Sequence, residues 1–269
     1  MSTIGIEHAG VDGAQLVDRR FAERVLADLV AHGVVIYREA DISDGDLVAF
    51  SRLLGDVVIA PMGGLVDHPA ISPVSLDPAR SDLAVYRRST FFWHIDGAND
   101  ETPQKATLLA AREVAETGGD TEFANTYAAY EALPEIEKAE LADVRLVHSM
   151  AASQLLMYPE PTAKQRAAWD AVPSREHPLV WTRPGGRKSL LIGATTNQVV
   201  GRDAEQSKEL LDHLLEWCTQ PQFVLRHRWA PGDLVIWDNT GMLHRALPYE
   251  PTSRRLMHRT TLAGELAVA

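Results

Sequence analysis

The sequence is short of several things at once. A single cysteine, Cys218, stands among 269 residues. That rules out an intramolecular disulfide framework, fits a reducing cytoplasm, and excludes cysteine-rich zinc or iron–sulfur sites. No apolar run approaches the ~18 residues a membrane-crossing helix needs, and no signal-peptide pattern precedes the first charged residues. A cytoplasmic protein with no membrane contact is therefore expected. Positive charge is also scarce: 26 Lys and Arg face 37 Asp and Glu, a formal net charge of −11, which argues against a general nucleic-acid surface. It does not argue against a small anionic substrate, because a few local arginines set the potential of a pocket. There is no internal repeat and no low-complexity tract. What remains, 45% hydrophobic and 23% charged, is ordinary globular composition. The length suits one all-β barrel or sandwich with a single core, so residues 1–269 are expected to form one domain.

Local patterns place the elements. Residues 13–31 carry Leu16, Phe21, Val25, Leu26, Leu29 and Val30 near helical spacing, and 33–37 reads as a buried strand. Ser43 caps a helix with Asp46 three residues on, ending at Gly55. Residues 56–90 read as loops and short edge strands. Strands are expected at 91–97, 105–114, 144–148 and 188–192. A helix over 126–142 should break at Pro134, and 203–218 has a clear amphipathic stripe. Residues 150–186 hold Pro159, Pro161, Pro173, Pro178 and Pro184 with little periodicity, as a loop-rich insertion serving as a lid would. Strands separated by turns, with helices at the start and as insertions, make a mainly β protein with helices (α+β). They suggest a double-stranded β-helix, or jelly roll.

The chemistry-bearing residues lie in three stretches. In Phe91-Phe92-Trp93-His94-Ile95-Asp96-Gly97, strand alternation sends His94 and Asp96 to one side and Ile95 to the other. A histidine and a carboxylate so placed suit two ligands of a 2-His-1-carboxylate iron face, although a polar surface pair has the same pattern. Far downstream, Gly232-Asp233-Leu234-Val235-Ile236-Trp237-Asp238-Asn239 is turn then strand, and His244 follows, 148 residues after Asp96. Eleven residues beyond His244, Arg255 begins an alternation in which Arg255, Met257 and Arg259 share one face and Arg254, Leu256 and His258 the other. Trp93 and Trp237 read as core. The eight other histidines have no paired ligand spacing.

Taken together with Gly118-Gly119-Asp120-Thr121, these stretches resemble the taurine dioxygenase (TauD/TfdA) group of Fe(II)/2-oxoglutarate-dependent dioxygenases, in order from about Gly33 to Gly264. The resemblance implies a jelly-roll core with N-terminal helices. It implies His94, Asp96 and His244 as iron ligands, and Arg255 and Thr121 on the far carboxylate of 2-oxoglutarate. Arg259 would be a second arginine near the iron, meeting substrate or the cosubstrate's 1-carboxylate. Asp120 is expected to be a structural turn residue. The cofactors would be Fe(II), 2-oxoglutarate and O2. The implied reaction converts 2-oxoglutarate to succinate and CO2 while hydroxylating an aliphatic C–H bond of a small anionic organic substrate. Halogenating relatives carry a small residue in place of the carboxylate, so Asp96 favours hydroxylation. A homodimer or homotetramer is common in the family.

Members that cleave taurine carry a His and a Tyr three residues apart after the second helix. The matching stretch, Gly55-Asp56-Val57-Val58-Ile59-Ala60-Pro61-Met62-Gly63, has neither, which argues against taurine. Tyr86, Arg87 and Arg88 offer an anion site, though a surface turn is the simpler reading, and Asn99 and Asp100 are expected near the pocket mouth. Two rivals remain. A zinc hydrolase would need a His-Glu-x-x-His glutamate, which is absent. A non-catalytic jelly-roll ligand-binding protein would have no reason to pair Arg255 and Thr121 with the three ligands.

Overall fold

The computed structural model describes residues 4–59, 63–265 and 268. Ala60, Pro61 and Met62, part of the stretch compared with the taurine-cleaving members, lie outside the described residues. In chain order the strands are β1 (Ile6–His8), β2 (Val34–Tyr37), β3 (Ser72–Val74), β4 (Ala106–Glu113), β5 (Thr121–Asn125), β6 (Arg145–His148) and β7 (Arg175–Pro178). They continue with β8 (Val180–Thr182), β9 (Lys188–Leu190), β10 (Thr196–Val199), β11 (Val224–His227), β12 (Leu234–Asp238), β13 (Met242–Ala246) and β14 (Leu256–Leu262). The helices are α1 (Arg19–His32), α2 (Asp44–Leu54), α3 (Ala84–Arg87), α4 (Thr126–Ala132), α5 (Glu135–Leu141), α6 (Met150–Leu155), α7 (Ala163–Asp170) and α8 (Ala204–Cys218). Among the described residues, no helix is long and apolar enough to cross a membrane.

Strand pairing builds a six-stranded sheet, β1-β2-β12-β4-β14-β3, opposed by a three-stranded sheet, β11-β5-β13. Alternation sorts the side chains into layers. In β2, Val34 and Ile36 join a cluster with Leu109, Phe123, Trp237, Met242 and Met257, drawn from both sheets. Val35 and Tyr37 turn the other way, into the layer with Val25, Leu29, Leu47 and Phe50 of α1 and α2. A third buried layer joins β5 and β13 to α4, α8 and the β6–β10 region. The result is a β-sandwich with helices on its outer faces, and the inner layer between the sheets is where the chemistry-bearing strands point.

Several expected elements are modified for local reasons. The single helix over 13–31 becomes a 3-10 turn, Gly13–Leu16, followed by α1. The Asp18 carboxylate accepts the Arg20 N–H at 2.8 Å and restarts the helix there. Gly33, at φ 73°, then closes α1. The Ser43 cap, the Gly55 stop and the break at Pro134 all fall where expected. The strand expected over 91–97 is reduced to one antiparallel bridge, His94 with His244. Asp96 already belongs to a turn whose Gly97 has φ 71°. The proline-rich 150–186 segment is more ordered than its composition suggests, holding α6, α7, β7 and β8.

One buried carboxylate ties two chain segments together. Asp233 accepts the Arg38 Nη1–H at 2.9 Å and the backbone N–H groups of Glu39 and Ala230 at 3.1 and 2.9 Å. Burial alone would raise its pKa, but His227 and these N–H donors outweigh it and hold the group below the usual carboxylate range. A depressed acid stabilises the fold above its unfolded pKa, and that contribution is lost as pH falls through the folded value. Asp233→Ala is expected to cost on the order of 3 kcal/mol, because it strands the buried donors. Urea unfolding at pH 7 checks this, and the deficit relative to wild type should shrink toward pH 3.

Candidate active site

Three side chains converge at one end of the inner layer. His94 and His244 exchange backbone hydrogen bonds at 3.0 and 2.9 Å, which sets their imidazoles side by side with ring centroids 4.2 Å apart. Asp96 completes the group, with one oxygen 3.9 Å from His94 Nε2 and the other 3.7 Å from His244 Nε2. One ligand atom from each residue lies within 4.8 Å of the others. Ile95 is turned into the apolar layer behind, so the expected alternation holds although the strand does not.

The donor set suits a divalent cation. His94 Nδ1 lies 2.8 Å from the Phe92 carbonyl. In the tautomer that donates there, Nε2 keeps its lone pair for a metal. His244 has no such partner at Nδ1 and is held by packing, 4.7 Å from Trp237 and 6.3 Å from Phe123 between ring centroids. Burial pushes His244 down to about 3 and lowers His94, so both rings are neutral at physiological pH. Burial would raise Asp96, but the Arg259 guanidinium and the hydrogen bond from Thr107 hold it below the usual carboxylate range. Two neutral imidazoles and an anionic carboxylate are what a 2-His-1-carboxylate face requires.

Behind Asp96 runs a buried chain of hydrogen bonds. Trp237 Nε1 donates to Asn239 Oδ1, Asn239 Nδ2 to Thr107 Oγ1, and Thr107 Oγ1 to Asp96 Oδ2, at 2.9, 2.9 and 2.8 Å. Each link fixes the next, so the carboxylate enters the cavity in one orientation.

The cavity in front is lined by His94, Asp96 and His244 together with Thr121, Arg255 and Arg259. The six residues singled out in the sequence therefore meet in one place. Arg255 is 3% exposed, lies 4.9 Å from the Tyr249 ring centroid, and has no carboxylate within ion-pair distance among the described residues. Burial lowers its pKa. Thr121 Oγ1 accepts from Trp229 Nε1 at 2.9 Å, which leaves its own proton free to donate into the cavity. Gly119, at φ 74°, lies so close to Arg255 that a Cβ there would meet its Cδ at 3.1 Å. Asp120 pairs with Arg226 at 2.8 Å, the structural role expected of it.

The family model described as "Taurine catabolism dioxygenase TauD, TfdA family" matches residues 1–261. The chain belongs to this family. An alpha-ketoglutarate-dependent 2,4-dichlorophenoxyacetate dioxygenase from Cupriavidus pinatubonensis is 36% identical over 252 residues, covering 87% of this chain and 86% of its own. An alpha-ketoglutarate-dependent sulfate ester dioxygenase from Pseudomonas putida is 33% identical over 273 residues, covering 98% and 88%. Among solved structures, AAD-2 in complex with Mn(II) and N-oxalylglycine superposes with a TM-score of 0.83 at 28% identity, over 100% of this chain and 97% of that one. As a TauD/TfdA-family member the chain is an Fe(II)- and 2-oxoglutarate-dependent dioxygenase, an oxidoreductase that consumes O2.

Within this TauD/TfdA site the structure also corrects and extends the sequence reading. Arg87 is not on a surface turn: it is 7% exposed and lines the cavity, whereas its neighbours Tyr86 and Arg88 are exposed. Asn99 and Asp100 do not line the cavity. His258 points away from Arg255 as expected and bonds Asp44 at 2.7 Å. Thr107, Asn239 and Tyr249 were not singled out; nothing in their residue type or spacing sets them apart. Thr107→Ala is expected to weaken Fe(II) binding roughly 10- to 100-fold, as loss of an outer hydrogen bond to a metal ligand typically does. Thr107→Ser should restore most of it. Anaerobic Fe(II) titration measures both.

Proposed function

We propose that His94, Asp96 and His244 bind Fe(II) and that Arg255 and Thr121 bind the far carboxylate of 2-oxoglutarate. On this reading the enzyme hydroxylates an aliphatic C–H bond of a small organic anion. One observation carries it: a buried guanidinium without a carboxylate partner shares a cavity with three converging metal-type donors. Bound Fe(II), 2-oxoglutarate and O2 supply the oxidant, with succinate and CO2 as by-products.

The chain's own part is placement and exclusion of water. Arg255 presents two parallel N–H groups to a carboxylate, a bidentate fit that fixes the far end of the cosubstrate. The Thr121 hydroxyl adds a third donor. Arg259 Nη1, 3.5 Å from Asp96 Oδ1, stands where it meets either the carboxylate or an anionic group arriving at the metal. Val74, Leu109 and Trp237 form apolar walls, which keep reactive chemistry away from bulk water.

The strand arrangement supports a jelly-roll reading of the sandwich, and residues 1–269 form one domain in this proposal. The insertion over 150–186 would act as its lid; His177 Nε2, hydrogen-bonded to the Asp100 carbonyl at 2.9 Å, ties it to the turn after Asp96. The buried, lone Cys218 supports a cytoplasmic setting, and a homodimer or homotetramer is the assembly proposed. Substrates of the relatives, 2,4-dichlorophenoxyacetate and sulfate esters, define the first screen, with taurine as the expected negative. The test is anaerobic titration of 2-oxoglutarate into the Fe(II)-loaded protein. A visible metal-to-ligand charge-transfer band is the expected result. Bound iron with no band would overturn the proposal and favour a non-catalytic binding protein.

A further inference from the structure

Arg87 is a buried cation that neither the metal nor the cosubstrate accounts for. It ends α3, and its side chain runs inward beneath β3. Its Nη2 donates to Ser72 Oγ at 2.8 Å and to the Pro73 carbonyl at 3.1 Å, which fixes the plane of the guanidinium. The Nε–H is buried with no partner, and no carboxylate lies within ion-pair distance among the described residues. Ser72 is also the register partner of Arg259 across the β3–β14 ladder, so Arg87 and Arg259 are close neighbours on one wall. Arg259 leans on Asp96, and its own Nε is unpartnered too. Burial and the adjacent Arg259 bring Arg87 down to about 9, the sign of a cation held where it lacks a counter-charge.

Charge counting gives the same answer. Arg87, Arg255 and Arg259 line the cavity, against the single carboxylate of Asp96. A divalent metal adds positive charge and a dianionic cosubstrate offsets it, so the filled site still carries surplus positive charge. A buried surplus of this kind is costly unless a further anion enters. The walls beside Arg87 are apolar or aromatic: Val74 and Tyr249 line the cavity, and Phe91 meets the Tyr249 ring edge-on at 6.0 Å.

Resting on the reading above, we propose that Arg87 is the specificity-determining residue that seats the anionic terminus of the substrate, a monoanionic carboxylate or sulfate. The part of its guanidinium that lines the cavity faces the anion while the substrate's body packs between Val74 and Tyr249. Arg259 remains the arginine of the metal end, and Arg87 sets how far from that end the charged group is anchored.

The test uses the anaerobic Fe(II)·2-oxoglutarate enzyme and three probes: 2,4-dichlorophenoxyacetate, its neutral methyl ester, and hexyl sulfate. Wild type should show a shift of the charge-transfer band with at least one of the two anions, and which anion gives it decides between carboxylate and sulfate. Arg87→Gln should keep the 2-oxoglutarate band and its half-saturation within about twofold. It should raise the half-saturating concentration of that anion roughly 10- to 100-fold, as expected on losing a hydrogen bond to a charged group. The ester should be unaffected, and Arg87→Lys should recover part of the loss. Equal weakening of anion and ester, or no weakening of either, would overturn the proposal. So would a wild-type band that neither anion shifts. Absence of the band from wild type is a different failure, that of the dioxygenase assignment itself.

Discussion

His244→Ala is expected to remove the 2-oxoglutarate charge-transfer band altogether and to lower succinate formation at least about a thousandfold, equivalent to roughly 4 kcal/mol of transition-state stabilisation. The reason is geometric. With His94 and Asp96 alone, the proposed metal face would keep two protein ligands instead of three, and the arrangement that orders the cosubstrate would be lost. The fold should survive, because the pairing of residues 94 and 244 is made by backbone atoms and does not need the imidazole. Far-UV circular dichroism should therefore match wild type, and the lost ring leaves a cavity beside Trp237 and Phe123 that costs stability without unfolding the sandwich. A band that persisted at wild-type intensity would remove His244 from the metal.

How far the site could be read from sequence depended on how local each signal was. The His94–Asp96 pair was legible because alternation over two residues needs no partner, and it held even though the surrounding strand shrank to one bridge at the Asp96-Gly97 turn. Arg255 and Arg259 were legible because alternation puts them on one side with Met257, which packs into the inner layer, and both line the cavity although Arg255 lies just before β14. Thr107 and Asn239 were not. They meet only because β12 pairs with β4, bringing Trp237 opposite Thr107, and a lone threonine and asparagine 132 residues apart carry no pattern. Arg87 reads from sequence as an anion site or, more simply, a surface turn, and only the structure decides for burial, because that depends on α3 folding under an edge strand too short to predict. Likewise, the three-residue β1 exists through parallel pairing with β2, not through any run of its own.

Arg255→Ala is expected to raise the 2-oxoglutarate dissociation constant roughly a hundredfold, about 3 kcal/mol, while leaving Fe(II) affinity near wild type. The cost is that of burying a carboxylate with its strongest partner removed. Arg255 is enclosed by Tyr249 on one side and Gly119 on the other, so water cannot readily take its place. Arg255→Lys should recover only part, since an ammonium cannot reproduce two parallel N–H bonds or lie flat against the Gly119 backbone. Thr121→Val removes one neutral donor and should cost roughly tenfold. If both residues hold the same carboxylate, the double variant will lose less than the two single losses added together, because the weakened end of the cosubstrate no longer stays within reach of residue 121. Strict additivity would mean that Thr121 and Arg255 contact different groups. No change on losing Arg255 would leave the buried guanidinium without a ligand and move the cosubstrate elsewhere in the cavity.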